Sequence, residues 1–254
     1  MSRLHVETFG PDDAPPVLAL HGVTGHALRW RVPAAALAEY RVVGLDLRGH
    51  GSSPWTPPWS IEQHVDDVLT TLDELGLGPL PVVGHSFGGA IAVHLARTAR
   101  ERVTRLVLID PALGLDPQDM LETAQEVCAG ESYPDRESAR AERATRWEGI
   151  DDALVDAEID EYLVQDGDRW RYRYSTPAVV TAWSEMARPA VVPPADLPTL
   201  LLPATKVDYV DPAWVERVRA ELGPLLTVRE IDTGHMVQLE RPAEVAEEIR
   251  RFLA

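Results

Sequence analysis

Pro81-Val82-Val83-Gly84-His85-Ser86-Phe87-Gly88-Gly89-Ala90 decides the fold. A short apolar run ends in a glycine two residues before Ser86, and a second glycine follows two residues after it. From Gly88 to Thr98 the small residues Ala90, Ala92 and Ala96 recur at helix-packing positions. A buried strand that turns at once into a helix forces two stretches of backbone to pass closely, so the flanking positions must be small. The residue at the apex is held in a strained conformation with its side chain pushed clear of the turn. A serine there, in the pattern Gly-x-Ser-x-Gly between a strand and a helix, is placed to act as a nucleophile. The bland alternative is a glycine-rich turn carrying a solvated serine.

On either side the chain alternates strand and helix patterns. Arg3 to Phe9 reads as an edge strand, and Val17 to Leu20 and Arg41 to Leu47 as buried ones. Ser60 to Leu75 reads as a helix with Ser60 as N-cap, Gln63 at the capping-box position, and Val65, Val68, Leu69 and Leu72 on one face. Val103 to Ile109 is the next strand. From about 112 to 195 the buried strands lapse into helix-like segments and a hairpin around Asp166-Gly167. Pro189, Pro193, Pro194 and Pro198 mark a connector. Alternation resumes with strand Thr199 to Leu202, helix Pro212 to Leu222, strand Leu225 to Ile231 and helix Pro242 to Leu253. This predicts an α/β fold, a doubly wound, mostly parallel sheet built from residues 1–111 and 196–254, with a mainly helical cap inserted over residues 112–195.

The chain has 254 residues with 41 acidic against 24 basic side chains, net −17. Such a surface repels phosphate backbones and argues against nucleic acid as a partner. Cys128 is the only cysteine, so no internal disulfide can form. The start, Met1 to Phe9, lacks the basic-then-apolar pattern of a leader, and no apolar run approaches the roughly 20 residues of a membrane helix. The expectation is a soluble cytoplasmic protein without a membrane partner; a homo-oligomer is left open. Lys206 is the only lysine, so Schiff-base chemistry would have to use it.

Four blocks together resemble the α/β-hydrolase superfamily, in particular its small capped bacterial esterases, lactonases and C–C hydrolases. They are His21-Gly22-Val23-Thr24-Gly25, Asp46-Leu47-Arg48-Gly49-His50-Gly51-Ser52-Ser53, Gly84-His85-Ser86-Phe87-Gly88-Gly89, and Gly234-His235-Met236-Val237-Gln238-Leu239-Glu240-Arg241-Pro242. The resemblance implies a triad in the order Ser86, acid, His235. It implies Asp208 as the acid, after the strand Leu200 to Leu202, although Ala204 stands where relatives usually have glycine; Asp110 and Asp211 are the alternatives. The backbone N–H groups of Phe87 and Val23 would form the oxyanion hole. Trp55, Trp59 and Met236 are candidate pocket residues. His21, His50, His85 and the Asp46–Ser53 block are expected to be structural, and the Arg169–Tyr174 run to be an exposed charged face.

Within that resemblance, serine as the nucleophile argues against epoxide hydrolases and haloalkane dehalogenases, which use aspartate. Met236 after the histidine argues against plant-type hydroxynitrile lyases. No ligand-spaced cluster suggests a metal and no Gly-x-Gly-x-x-Gly a dinucleotide, so no cofactor is expected. The expected substrates are a small-molecule ester or lactone and water. The rivals are a C–C hydrolase of a ring-cleavage product, using Arg188 or an arginine of 169–173 for a carboxylate, and a hydrolase-fold sensor of a small ligand.

Overall fold

The computed structural model describes residues 3–130 and 132–254; Met1 and Ser2, part of the stretch read for a leader, lie outside them. Strands β1 (Val6–Phe9) and β2 (Pro16–Leu20) lead through a 3-10 turn, Ala27–Trp30, to helix α1 (Arg31–Ala35) and strand β3 (Arg41–Leu45). Helix α2 (Ile61–Glu74), strand β4 (Leu80–His85), helix α3 (Phe87–Thr98) and strand β5 (Val103–Ile109) follow. The chain then leaves the sheet for α4 (Pro117–Ala129), α5 (Arg136–Arg146), α6 (Asp152–Tyr162), the hairpin β6 (Leu163–Asp166) and β7 (Arg169–Tyr172), and α7 (Thr176–Met186). It returns with β8 (Thr199–Leu202), α8 (Pro212–Leu222), β9 (Leu226–Val228), the one-turn helix α9 (Val237–Glu240) and α10 (Pro242–Leu253).

The seven-stranded sheet runs in the order β1-β3-β2-β4-β5-β8-β9. β1 is antiparallel to β3, and the other pairings are parallel. Alternate residues of each strand bury on opposite faces, as the period of two requires. Leu18, Leu20, Val82, Leu106, Leu108 and Leu201 share one core with α2, α3 and α8. Val17, Ala19, Val83, Val107, Leu200 and Leu202 share the other with α1 and α10. The fold is the doubly wound, mostly parallel α/β sheet that the alternation predicts.

Local signals act where the sequence places them. Ser60 Oγ accepts from Gln63 N and opens α2, whose Ile61, Val65, Val68 and Leu72 are buried. Burying each such side chain contributes about 1.5–3 kcal/mol. Three strands of the sheet differ most from the expectation at their ends. β1 begins at Val6 rather than Arg3, and β9 spans Leu226–Val228 rather than Leu225–Ile231. β3 stops at Leu45 rather than Leu47 because the next backbone donors turn elsewhere: Asp46 N to His5 O and Leu47 N to His21 Nε2. Among the described residues no helix is long and apolar enough to cross a membrane.

Candidate active site

Register brings three chain segments to one edge of the sheet. Leu20 pairs with Gly84, and His85 with Ile109. His21, Ser86 and Asp110 therefore emerge side by side from the C-terminal ends of β2, β4 and β5, where an open α/β sheet leaves its crevice.

Ser86 is the sharp turn itself, with φ 54° and ψ −121°. That is a strained geometry for a non-glycine residue. It is held by its own peptide: Ser86 N donates to Ile109 O, and Ser86 O accepts from Gly89, Ala90 and Ala112. The flanking glycines are required sterically. A Cβ on Gly84 would fall 2.4 Å from Gly88 O, and one on Gly88 would fall 2.3 Å from Leu20 O. Phe87 N, at the first position of α3, and Val23 N, in the loop after β2, donate to no acceptor among the described residues. Gly22 brings that loop against the serine, since a Cβ there would stand 2.9 Å from Ser86 Cβ.

The geometry sets Asp110, and not the expected Asp208, against the histidine. His235 Nδ1 lies 2.5 Å from Asp110 Oδ2, and Asp110 Oδ1 accepts from Ala204 N at 3.0 Å. Asp110 is fully buried and has φ 40°, a left-handed turn that places its carboxylate under the imidazole. Asp208 is an exposed loop residue with no hydrogen bond or ion pair to His235 among the described residues. It lines a cleft of about 580 Å³ with Leu113, Met120, Val207 and Tyr209. Asp211 caps α8, accepting from Ala213 N.

Two neighbours of the histidine were not singled out for this role by the sequence: Tyr209 lies outside the motif blocks, and His85 lies within one. The Tyr209 ring stacks on His235 with centroids 4.2 Å apart, and His85 Nε2–H donates to the His235 carbonyl at 2.8 Å. Burial, with help from His235, holds the His85 pKa well below its ordinary value. The neutral ring keeps one proton, and the carbonyl acceptor fixes it on Nε2.

A sequence model of the Alpha/beta hydrolase family matches residues 17–248. The chain is an alpha/beta hydrolase. It is 42% identical over 254 residues to Lipase LipV of Mycobacterium tuberculosis (strain ATCC 25618 / H37Rv), covering 98% of this chain and 97% of that one. It is 25% identical to Esterase YbfF of Escherichia coli (strain K12), over 94% and 92% of the two chains. Among solved structures it resembles E-2-(acetamidomethylene)succinate hydrolase with TM-score 0.86 at 21% identity, over 98% and 94% of the chains. It also resembles a marine microorganism esterase with TM-score 0.81 at 20% identity, over 98% and 99%.

In this hydrolase the Asp46–Ser53 block is woven into the loops beside the site. Asp46 Oδ1 accepts from Ala27 N, and Asp46 Oδ2 from Ser52 N. Arg48 makes a two-pronged pair with the buried Asp67 at 2.5 and 2.7 Å. Of the proposed pocket residues, Trp55 donates to Gly51 O and Trp59 to Trp55 O. The Arg171 guanidinium lies 5.2 Å over the Trp55 ring. Met236 packs against the cluster of Trp147, Val155 and Leu239. Arg169 and Arg171 of the hairpin pair with Ser132 and Asp166 at the surface. No group of three or more acidic, histidine or cysteine side chains among the described residues is arranged to hold a metal.

Proposed function

We propose that this chain hydrolyses small carboxylic esters, including lactones, through an acyl-enzyme on Ser86. The observation that carries this reading is the Asp110–His235 pair beside a strained serine turn. With Nδ1–H given to Asp110, the neutral His235 keeps Nε2 as the acceptor for the Ser86 hydroxyl proton. Ser86 Oγ then adds to the substrate carbonyl, and the N–H groups of Val23 and Phe87 receive the oxyanion. His235 returns its proton to the leaving alkoxide. A water, losing its proton to the same Nε2, attacks the acyl carbon and frees Ser86. Asp110 holds the imidazole tautomer and offsets the positive charge in both halves.

That LipV is named a lipase and YbfF an esterase supports an ester as substrate. Residues 112–195 are proposed as a cap on a core of 1–111 and 196–254. The cleft shared by Leu113, Met120 and Tyr209 is the proposed entry for the acyl or alcohol group. The C–C hydrolase reading loses support because Arg188 is already paired with Glu62 and Glu185.

The test is turnover of p-nitrophenyl esters of increasing acyl length, and of one γ-lactone, by wild type and Ser86→Ala. Turnover that disappears in the variant is expected. A folded wild type that leaves every ester and the lactone intact would overturn the reading.

A further inference from the structure

The loop after β2 is held by hydrogen bonds along Gly22 to Gly25, one of them made directly by the inserted segment and another made by an arginine that the inserted segment fixes. Gly22 O accepts from His21 Nδ1 at 2.7 Å and from Gly25 N at 2.9 Å. Thr24 N donates to His50 Nε2 at 3.3 Å. Thr24 O accepts from Arg29 Nη2 at 3.2 Å, and Gly25 O from the Tyr162 hydroxyl at 2.7 Å. Val23 N–H stays free among the described residues. Thr24 has φ 60°, a conformation that a β-branched residue keeps only when its surroundings over-determine it.

Glu158 of α6 anchors this arrangement from below. Its side chain is 2% exposed. Arg29 donates Nε to Oε2 at 3.1 Å and Nη2 to Oε1, while His26 donates Nε2–H to Oε2 at 2.7 Å. Burial alone would raise the Glu158 pKa, but Arg29 and His26 outweigh it and hold the carboxyl well below the usual range. His26 also stacks on Tyr162 with centroids 4.0 Å apart. The guanidinium that grips Thr24 O is thus itself fixed, through a two-pronged pair, by a carboxylate from the inserted segment. Arg29 has no other carboxylate among the described residues to orient it.

We propose that Glu158 and Tyr162 are positioning residues for the oxyanion hole: α6 sets the Gly22–Gly25 loop, and through it the aim of Val23 N–H. This rests on the reading of Val23 as an oxyanion donor. The inserted segment is then a working part of the catalytic site on this side, bolted to the loop, rather than a free cover. Neither residue touches substrate. Their loss should be felt where charge develops on oxygen and not where the ground-state ester binds.

The experiment uses Tyr162→Phe and Glu158→Gln in the full chain. It measures kcat and KM on a p-nitrophenyl ester, Ki for an alkylboronic acid that forms a tetrahedral adduct with Ser86, and hydrogen exchange of the loop amides. Tyr162→Phe should lower kcat and raise the boronate Ki together by about tenfold, the value of one lost hydrogen bond, with KM nearly unchanged and faster exchange confined to residues 21–29. Glu158→Gln should do more, up to the roughly 10²–10³ that an entire oxyanion donor supplies. Should Glu158→Gln fail to fold, the isosteric Tyr162→Phe alone decides. Unchanged kcat, Ki and exchange in folded variants would overturn the proposal, as would a boronate Ki that rises only as KM does. If wild type turns over no ester, the reading of the site fails instead, and loop exchange still reports whether α6 holds residues 21–29.

Discussion

His235 Nδ1 and Asp110 Oδ2 stand 2.5 Å apart, with Asp110 delivered from the end of β5 and not from the end of β8. The carboxylate that matters is the one whose removal frees the imidazole to take the wrong tautomer. Asp110→Asn is expected to lower kcat by about 10³–10⁴, the scale of losing tautomer control in a triad. Asp208→Asn is expected to stay within about threefold of wild type, as an exposed side chain without a bond to the histidine should. Steady-state rates of both variants on one p-nitrophenyl ester separate the two, and the reverse ranking would return the role to Asp208.

The sequence carried the framework of this site but left its acid ambiguous, for a physical reason. The glycines around Ser86 are demanded by backbone contacts under 3 Å, so the turn is legible as spacing. Helix starts at Ser60, Pro212 and Pro242 are legible because caps and prolines act locally. The acid is different. Asp110 and Asp208 each follow a strand of the same sheet, and which of them lies under His235 depends on the turn after each strand. Ala204, where relatives usually have glycine, was the one local hint, and its N–H is spent on Asp110 Oδ1. Glu158 and Tyr162 had no sequence signal at all, because their partners lie more than 120 residues away.

His85 ties the histidine loop to the serine turn through the His235 carbonyl. Truncating it removes one buried hydrogen bond, about 1 kcal/mol, together with the ring that packs beside His235. His85→Ala is expected to cut kcat/KM about tenfold while the protein stays folded. Activity and a thermal melt on the same preparation check this. Full activity in a folded variant would mean that the His235 loop needs no such tie.

The glycines divide sharply by what surrounds them. Gly88→Ala puts a methyl group 2.3 Å from the Leu20 carbonyl oxygen, backbone against backbone at the centre of the sheet. No side-chain movement relieves it, and a loss of about 3 kcal/mol or more is expected. Gly78→Ala meets nothing within 4 Å and its backbone is not left-handed. There the alanine narrows only the unfolded ensemble, and a gain of about 0.4–1 kcal/mol is expected. Urea unfolding of the two variants tests the contrast, and equal effects would contradict it.

His64 is buried on α2, edge-on to the Phe87 ring at 5.3 Å, with no partner for Nδ1. Burial, aided by His50 and Arg48, lowers its pKa to about 3. In the unfolded chain it titrates near its ordinary 6.5. Above that value neither state binds the proton and the stability contribution is complete. As pH falls from there toward 3, the unfolded chain takes up a proton that the native state refuses, and stability drops by about 1.4 kcal/mol per pH unit. His21 and His85, pushed well below their ordinary values by burial, and His50, lowered to about 4, add their own protons to the same slope. Acid sensitivity should therefore begin near pH 6.5, above the carboxylate range. His64→Phe removes one of these protons and leaves no orphaned nitrogen, so it should match wild type at pH 7.5 to within about 1 kcal/mol. By pH 5.5 the difference should have moved in the variant's favour by about 1.4 kcal/mol. Urea titrations at the two pH values decide it: a gap that does not widen on acidification would mean that native His64 already carries the proton.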